Sequence, residues 1–283
     1  MAFCVAAFLF AGRGFAGDSA AEWAAVVTPT KTLAGQSIGG YAAGCIGGAV
    51  ALPLSGIGYQ VMRVSRHRYY GHADLIRFVR HMGEFVADEG LGSLLVGDLG
   101  QPRGGPTPSG HRSHQTGLDV DIWFLTLSQS NNRLLTEHER EVWRAPSMIK
   151  ADSGKIDHEQ WTDADAKILQ MAASQPEVDR VFVNPGIKRE LCERNADLSA
   201  AWLRKIRPWW KHDDHFHVRL KCPDGNSHCN NQEPLPEGLG CGASLAWWFS
   251  KEAQLPGRKT QSPQPALPAL CEQIINGEAL AQQ

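Results

Sequence analysis

The sequence predicts an α+β fold: a single domain with a small, mainly antiparallel sheet flanked by helices and long loops. Three observations predict it. Apolar residues recur at helical spacing in some stretches and alternate strictly with polar ones in others. The two kinds of stretch do not take regular turns along the chain, as they would in a parallel βαβ protein. At 283 residues and 42% hydrophobic content the chain can build its own core, which excludes wholesale disorder. The formal net charge of −2, from 28 Lys+Arg against 30 Asp+Glu, excludes nucleic-acid binding by bulk charge.

Taken in order, residues 1–21 read as a secretory signal peptide: the apolar run MAFCVAAFLF is followed by small residues, with cleavage-type motifs at Gly14-Phe15-Ala16 and Ser19-Ala20-Ala21. Arg13 and Asp18 interrupt the run before it reaches the roughly 20 apolar residues of a spanning helix, so no stable membrane span is expected in the mature chain. The glycine-dense stretch Gly35–Gly58 has too little periodic apolar content for a long element and reads as irregular structure. His72–Phe85 reads as a helix, with Leu75, Ile76, Val79, Met82 and Phe85 near 3.6-residue spacing and Gly90 as its stop. Leu94–Gly97 is a short buried strand that enters a Gly/Pro loop, Asp98–Gly110.

Asp119–Leu125 alternates, with Val120, Ile122 and Phe124 on one face and Asp119, Asp121 and Trp123 on the other. Thr162–Ala173 is a helix opened by a capping threonine, Val178–Asn184 a strand, and Ile187–Cys192 the start of another helix. His215–Leu220 alternates again, with His215, His217 and Arg219 opposite Phe216, Val218 and Leu220. Beyond Phe249, Pro256, Pro263, Pro265 and Pro268 mark an extended polar tail.

Seven cysteines are an odd number. If the leader is removed Cys4 goes with it, leaving Cys45, Cys192, Cys222, Cys229, Cys241 and Cys271, an even set that suits an oxidising compartment. No two show the CxxC spacing of a redox or zinc site, and fifteen pairings of six stay open.

Several nucleophile-like motifs fail on context. Gly35-Gln36-Ser37-Ile38-Gly39 fits a G-x-S-x-G elbow but lacks a buried strand before its serine. Ser147-Met148-Ile149-Lys150 fits S-x-x-K, yet Ser130-Asn131-Asn132 precedes it and no K-T-G follows. H-E-x-x-H is absent, because Val142 and Thr162 stand where its second histidine is needed.

What remains is a histidine and carboxylate constellation. His111, His114 and Asp121 lie in GHRSHQTGLDVD, where Gly117 lets the chain turn before the alternating strand; His212, His215 and His217 lie in HDDHFH. Imidazole nitrogen and carboxylate oxygen are zinc donors, and a catalytic zinc keeps one position for water, so two such clusters on polar strand faces point to a metal site. The exposed tryptophans Trp209 and Trp210 could serve glycan or peptide binding but read more readily as packing residues.

The strings SGHRSHQTGLDVDIWF and WLRKIRPWWKHDDHFHVRLKCP resemble the penicillin-insensitive murein endopeptidase family, one of a wider group of zinc peptidases that includes D-Ala-D-Ala peptidases. QSIGGYAAGCIGG, QVMRVSRHRYYGH, GDLGQPRGG and RVFVNPGIKRELC carry the resemblance from about Gln36 to Cys271, while Ser128–Gln160 departs from the family pattern. The resemblance implies a periplasmic zinc endopeptidase that hydrolyses D-alanyl–meso-diaminopimelyl crosslinks in peptidoglycan and is untouched by β-lactams. It implies His114, Asp121 and His217 as zinc ligands, His111 as a fourth or alternative ligand, and His215 and His212 as catalytic histidines. It also implies the disulfides Cys45–Cys271, Cys192–Cys241 and Cys222–Cys229, with a metallopeptidase domain over 22–250 and a tail, 251–283, tied back by Cys271.

Two alternatives stay open at this level: a zinc D-Ala-D-Ala carboxypeptidase or dipeptidase of the same group, and a non-catalytic zinc-containing wall-binding protein. Arg112, Arg103 and Arg219 are candidates for the substrate carboxylate by charge and proximity, and a homodimer is the assembly left open.

Overall fold

Alternation sets the two long strands and helical periodicity covers one face of their sheet. The computed structural model describes residues 20–31, 35–108, 112–128, 132–195, 200–254 and 265–278. The leader through Ser19, His111, and the stretch with Pro256 and Pro263 lie outside these residues. In chain order the elements are α1 (Ala20–Ala25), β1 (Gln36–Gly40), β2 (Ala43–Gly47), β3 (Val50–Ala51), β4 (Ser55–Gly56), β5 (Tyr59–Val61), β6 (Tyr70–Gly71) and α2 (Ala73–Asp88). There follow β7 (Ser93–Val96), β8 (Asp119–Leu127), α3 (Glu137–Val142), α4 (Asp163–Ser174), β9 (Val178–Val183) and α5 (Pro185–Arg194). The chain continues through β10 (Ile206–Pro208), β11 (His215–Leu220), α6 (Ala243–Trp247), α7 (Lys251–Gln254) and α8 (Leu270–Ile275).

Seven strands form the main sheet in the order β10-β9-β11-β8-β7-β5-β4, parallel at β10/β9 and β5/β7 and antiparallel elsewhere. One face carries Val120, Ile122 and Phe124 of β8 and Phe216 and Val218 of β11. These pack with Leu75, Val79 and Met82 of α2 and with Ile168, Leu169 and Ala172 of α4 in one core, each full burial contributing roughly 1.5–3 kcal/mol. The helix expected from His72 begins there: the His72 ring accepts from the Asp74 N–H, and the chain leaves after Glu89 through Gly90 at φ +69°. Thr162 opens α4 with its N–H and hydroxyl both donating to Asp165.

Two expectations are corrected. The glycine-dense stretch is not irregular: β1 and β2 pair as an antiparallel hairpin, and β3 and β4 follow. Its glycines serve close approach rather than disorder, since a Cβ on Gly44 would lie 2.3 Å from the Ile38 carbonyl oxygen and 2.6 Å from Thr116 Cγ2. The tail is not simply extended: α8 buries Cys271 and Ile274 against Trp23, Ile38 and Cys45 in a second, small core. The disulfide Cys45–Cys271 joins the hairpin to this helix across 226 residues, Cys192–Cys241 spans 49, and Cys222–Cys229 spans 7. A bridge over the longest of these removes the most freedom from the unfolded chain.

Lys188 on α5 is fully buried and donates from Nζ to the carbonyls of Leu203 and Leu239, both at 2.7 Å. It fastens the segment that Cys241 also ties. Burial, helped by the Arg207 charge, lowers its pKa from 10.5 to about 7. Between these values the unfolded chain binds more protons than the folded one, so this group makes stability rise with pH from about 7 to 10.5, with a slope of up to about 1.4 kcal/mol per unit. Urea unfolding at pH 7 and pH 9 should show this slope, and Lys188→Met should lack it; equal slopes would refute the assignment.

Candidate active site

The face of the sheet opposite the helices holds the histidines and aspartates. β8 and β11 pair so that His217 sits opposite Asp121, Arg219 opposite Asp119 and His215 opposite Trp123. Alternation alone puts each set on one side of its own strand; the register makes them neighbours. This polar face is buried rather than solvated: Asp119 is 0% and Asp121 5% exposed.

His114 arrives from the loop before β8. Gly117 has φ +70°, and a Cβ there would meet Ile46 Cδ1 at 2.6 Å, so the turn needs glycine. Gln115 locks the loop to the hairpin, accepting from Gly44 N–H and donating to the carbonyls of Ala42 and Arg112. The Ser37 hydroxyl adds a bond to the Thr116 carbonyl. The hairpin that sequence reasoning missed is therefore what holds His114 in place. On the far side, the Asn184 N–H donates to the His212 carbonyl, its side-chain amide donates to the Lys211 carbonyl, and the Phe124 N–H donates to the Asp214 carbonyl. His114, Lys211 and His212 all take positive φ, 69°, 60° and 51°, an uncommon backbone for residues with side chains, concentrated at this site.

His114, Asp121 and His217 each offer one ligand atom, all within 4.8 Å of one another, and all three residues are buried. Asp121 Oδ1 has no hydrogen-bond partner among the described residues, yet His217 Nδ1 lies 3.1 Å, His114 Nε2 3.5 Å and His215 Nε2 3.8 Å away. A buried carboxylate oxygen ringed by imidazole nitrogens without hydrogen-bond geometry is what a tetrahedral cation site presents. The N,N,O donor set fits zinc.

Electrostatics agree with the geometry. Burial opposes a charge on His114, but Asp121 outweighs it and raises the pKa to about 9. Burial likewise opposes ionisation of Asp121, and His114 and His215 overcome it, holding the carboxyl well below its ordinary range. A field that retains a proton on a buried imidazole also draws a cation, so proton and metal compete for this group.

His217 is oriented from behind. Its Nε2 donates to Asp119 Oδ1 at 2.6 Å while Nδ1 faces Asp121, and Arg219 Nε donates to the same Asp119 oxygen at 2.7 Å. Arg219 is sandwiched at 3.8 Å from the Tyr41 ring centre and 5.2 Å from that of Phe182. Asp119 was visible on the polar face with Asp121, but its role needed the register. Asp214 accepts from His215 Nδ1 at 2.5 Å; burial lowers the His215 pKa and Asp121 and Asp214 raise it, with a net upward shift. His212 differs. It donates from Nδ1 to the Trp210 carbonyl at 2.9 Å, and burial, reinforced by His215 and His217, takes its pKa to about 4, so it is neutral at pH 7. The rings of His212 and His215 are 4.9 Å apart.

Asp121 and His215 open onto a cavity of about 540 Å³, lined also by Trp123, Asp213, Ser147 and three arginines, Arg63, Arg66 and Arg144. None of these arginines was singled out from the sequence. Of those that were, Arg219 is consumed by Asp119, and Arg103 donates to the carbonyls of Thr28 and Ile275, tying the two ends of the chain; Arg112 is exposed. Trp209 and Trp210 are not packed inside: they are 53% and 43% exposed and meet Trp248. Ser147 stands at the cavity, but its hydroxyl bonds the Ile149 backbone, and Lys150 pairs with Asp157, so the S-x-x-K motif is no nucleophile pair.

Among the described residues, no helix is long and apolar enough to cross a membrane. Comparison with known proteins places this geometry in context. The model of the penicillin-insensitive murein endopeptidase family matches residues 37–276. A relative of that name from Klebsiella pneumoniae is 42% identical over 264 residues, 93% of each chain. One from Haemophilus influenzae is 42% identical over 90% of this chain and 88% of its own, and one from Salmonella typhi is 39% identical over 93% of each. Matched over nearly its whole length, with the His114 loop, β8 and β11 all inside the matched residues, the chain belongs to the penicillin-insensitive murein endopeptidase family.

Proposed function

We propose that this protein is a zinc-dependent murein endopeptidase of the periplasm that hydrolyses D-alanyl–meso-diaminopimelyl crosslinks of peptidoglycan. One observation carries the reading: three convergent ligand atoms of buried residues within 4.8 Å, with Asp121 opening onto a cavity of about 540 Å³. His114, Asp121 and His217 would hold the ion. When bound, zinc supplies Lewis acidity and makes water a nucleophile at neutral pH.

The chain's own residues do the rest. Asp119 fixes the ring of His217 and the nitrogen it presents as a ligand. Asp214 accepts a hydrogen bond from His215 Nδ1, which orients Nε2 to accept a proton during attack and return it to the leaving amine. His212, neutral and held by the Trp210 carbonyl, keeps its ring 4.9 Å from that of His215. No acyl-enzyme forms on this route, so a β-lactam has nothing to acylate.

Among the described residues three ligands stand beside an open cleft, which speaks against a closed structural site of the wall-binding alternative. The test is digestion of defined crosslinked muropeptide dimers followed by mass spectrometry. Monomers are expected, at an unchanged rate with a β-lactam present; free D-alanine would favour the carboxypeptidase reading. His215→Ala should retain zinc and lose turnover by about 10²-fold or more. Loss of zinc in that variant would reverse the assigned roles.

A further inference from the structure

The cleft has a cationic wall that the hydrolysis itself does not use. Arg63, Arg66 and Arg144 line the same cavity as Asp121 and His215. Arg63 begins the short 3₁₀ turn Val64–Arg66 with a backbone φ of 55°; its N–H donates to the Arg140 carbonyl at 3.0 Å, and Nη2 to the Trp143 carbonyl at 2.7 Å. Its guanidinium lies 5.6 Å from the Trp123 ring centre, so it is held in place rather than free to swing. Arg66 reaches Asp98 at 3.1 Å, but Asp98 is shared with Arg68 at 2.9 Å, one carboxylate against two guanidinium groups. Arg144, from the segment just after α3, is exposed and has no ion pair among the described residues.

The acidic groups nearby do not neutralise this wall. Asp121 belongs to the ligand group, Asp214 is bonded to His215, and Glu141 accepts from the backbone and hydroxyl of Ser65. Asp98, which also lines the cavity, is divided between Arg66 and Arg68, and Asp213 is the fourth carboxylate of the lining. Burial lowers the Arg63 pKa, and the charges of Arg66 and Arg144 lower it further, while Glu141 and Asp98 oppose. Like charges gathered in one partly enclosed cleft are stabilised by an anion, and the planar fork of arginine suits a carboxylate.

We propose that Arg63, Arg66 and Arg144 form a subsite for the substrate carboxylate carried on the carbon attached to the scissile nitrogen. The inference rests on the endopeptidase reading, in which the leaving amine belongs to the diaminopimelyl residue of a crosslink. An amide nitrogen that comes from an α-amino acid bears a carboxyl group on its neighbouring carbon. His215, which returns a proton to that nitrogen, shares the cavity with the three arginines, so the carboxylate reaches them as the nitrogen reaches His215. The subsite thereby selects a free acid over its amide and orients the bond for cleavage.

The experiment compares two synthetic crosslinked dimers, identical except that the leaving-side carboxylate is free in one and a primary amide in the other. The zinc-loaded wild-type protein should cleave the acid with a kcat/KM about 10- to 100-fold above the amide. Arg144→Gln should bring that ratio toward one, chiefly by raising KM for the acid, and Arg144→Lys should restore part of it. Arg144 makes no ion pair among the described residues, so its loss leaves the fold intact; Arg66→Gln, which leaves Asp98 to Arg68, gives a second reading. Equal cleavage of both dimers by the wild type overturns the subsite alone, as does a ratio unchanged in both arginine variants. Cleavage of neither dimer overturns the endopeptidase reading, and the subsite with it.

Discussion

Asp121→Ala is expected to remove bound zinc and to lower kcat/KM for crosslink cleavage by about 10³-fold or more, the equivalent of about 4 kcal/mol of transition-state stabilisation. The expectation follows from where Oδ1 sits. It is the only anionic donor of the group, and three imidazole nitrogens approach it within 3.8 Å. Without it the two remaining ligands are imidazoles, and His114 loses the largest of the charges that offset its burial, leaving only the weaker ones of Asp119 and Asp98. The backbone of β8 is held independently, by the Asp121 N–H on the Asp98 carbonyl and the Gly97 N–H on the Asp121 carbonyl, so circular dichroism should show an intact sheet. Asp121→Asn, equal in shape but uncharged, should fail in the same way. Zinc content by plasma mass spectrometry and turnover on one preparation check the claim, and a variant that keeps its zinc would contradict it.

Asp119→Ala is expected to cost more in stability than in any single contact to the metal. Its carboxylate is fully buried, and the Arg219 charge together with the His217 hydrogen bond overcomes burial to hold the group ionised. Removing it leaves the Arg219 guanidinium buried between Tyr41 and Phe182 without its carboxylate, a loss of about 3–5 kcal/mol. His217 also loses the partner that fixes its ring, which should weaken zinc binding by about 10- to 100-fold. The pairing of effects is diagnostic: urea unfolding reports the first and competition with a chromophoric chelator the second. A variant that loses stability but binds zinc as tightly as before would show that Asp119 serves only the packing of Arg219.

The parts of the site that lie on alternating strands were legible in the sequence, since a period of two fixes which residues share a face: Asp119 with Asp121, and His215 with His217 and Arg219. Legibility ended where neighbours are made by register and by loops. No pattern says that Asp119 meets the second nitrogen of His217, because that contact depends on which residue of β11 lies opposite which residue of β8. The arginine wall is assembled from a 3₁₀ turn and from the chain after α3, neither of which has a periodic signature. The β1–β2 hairpin was missed for a different reason. Four of its ten strand residues are glycine, which lets the His114 loop approach closely, and such composition resembles a loop. Prolines near the C-terminus concealed α8, a helix of six residues that holds its place through Cys271 and Ile274 rather than by propensity.

The central claim is that His114, Asp121 and His217 form a catalytic, open metal site, and it is tested most directly by following zinc content and crosslink cleavage together. Wild-type protein is stripped with a chelator, zinc is returned in measured steps, and each sample is assayed on a defined muropeptide dimer. No cleavage is expected in the stripped protein, and activity should rise in proportion to zinc until one ion is bound per chain. Full cleavage by the zinc-free protein would contradict the claim.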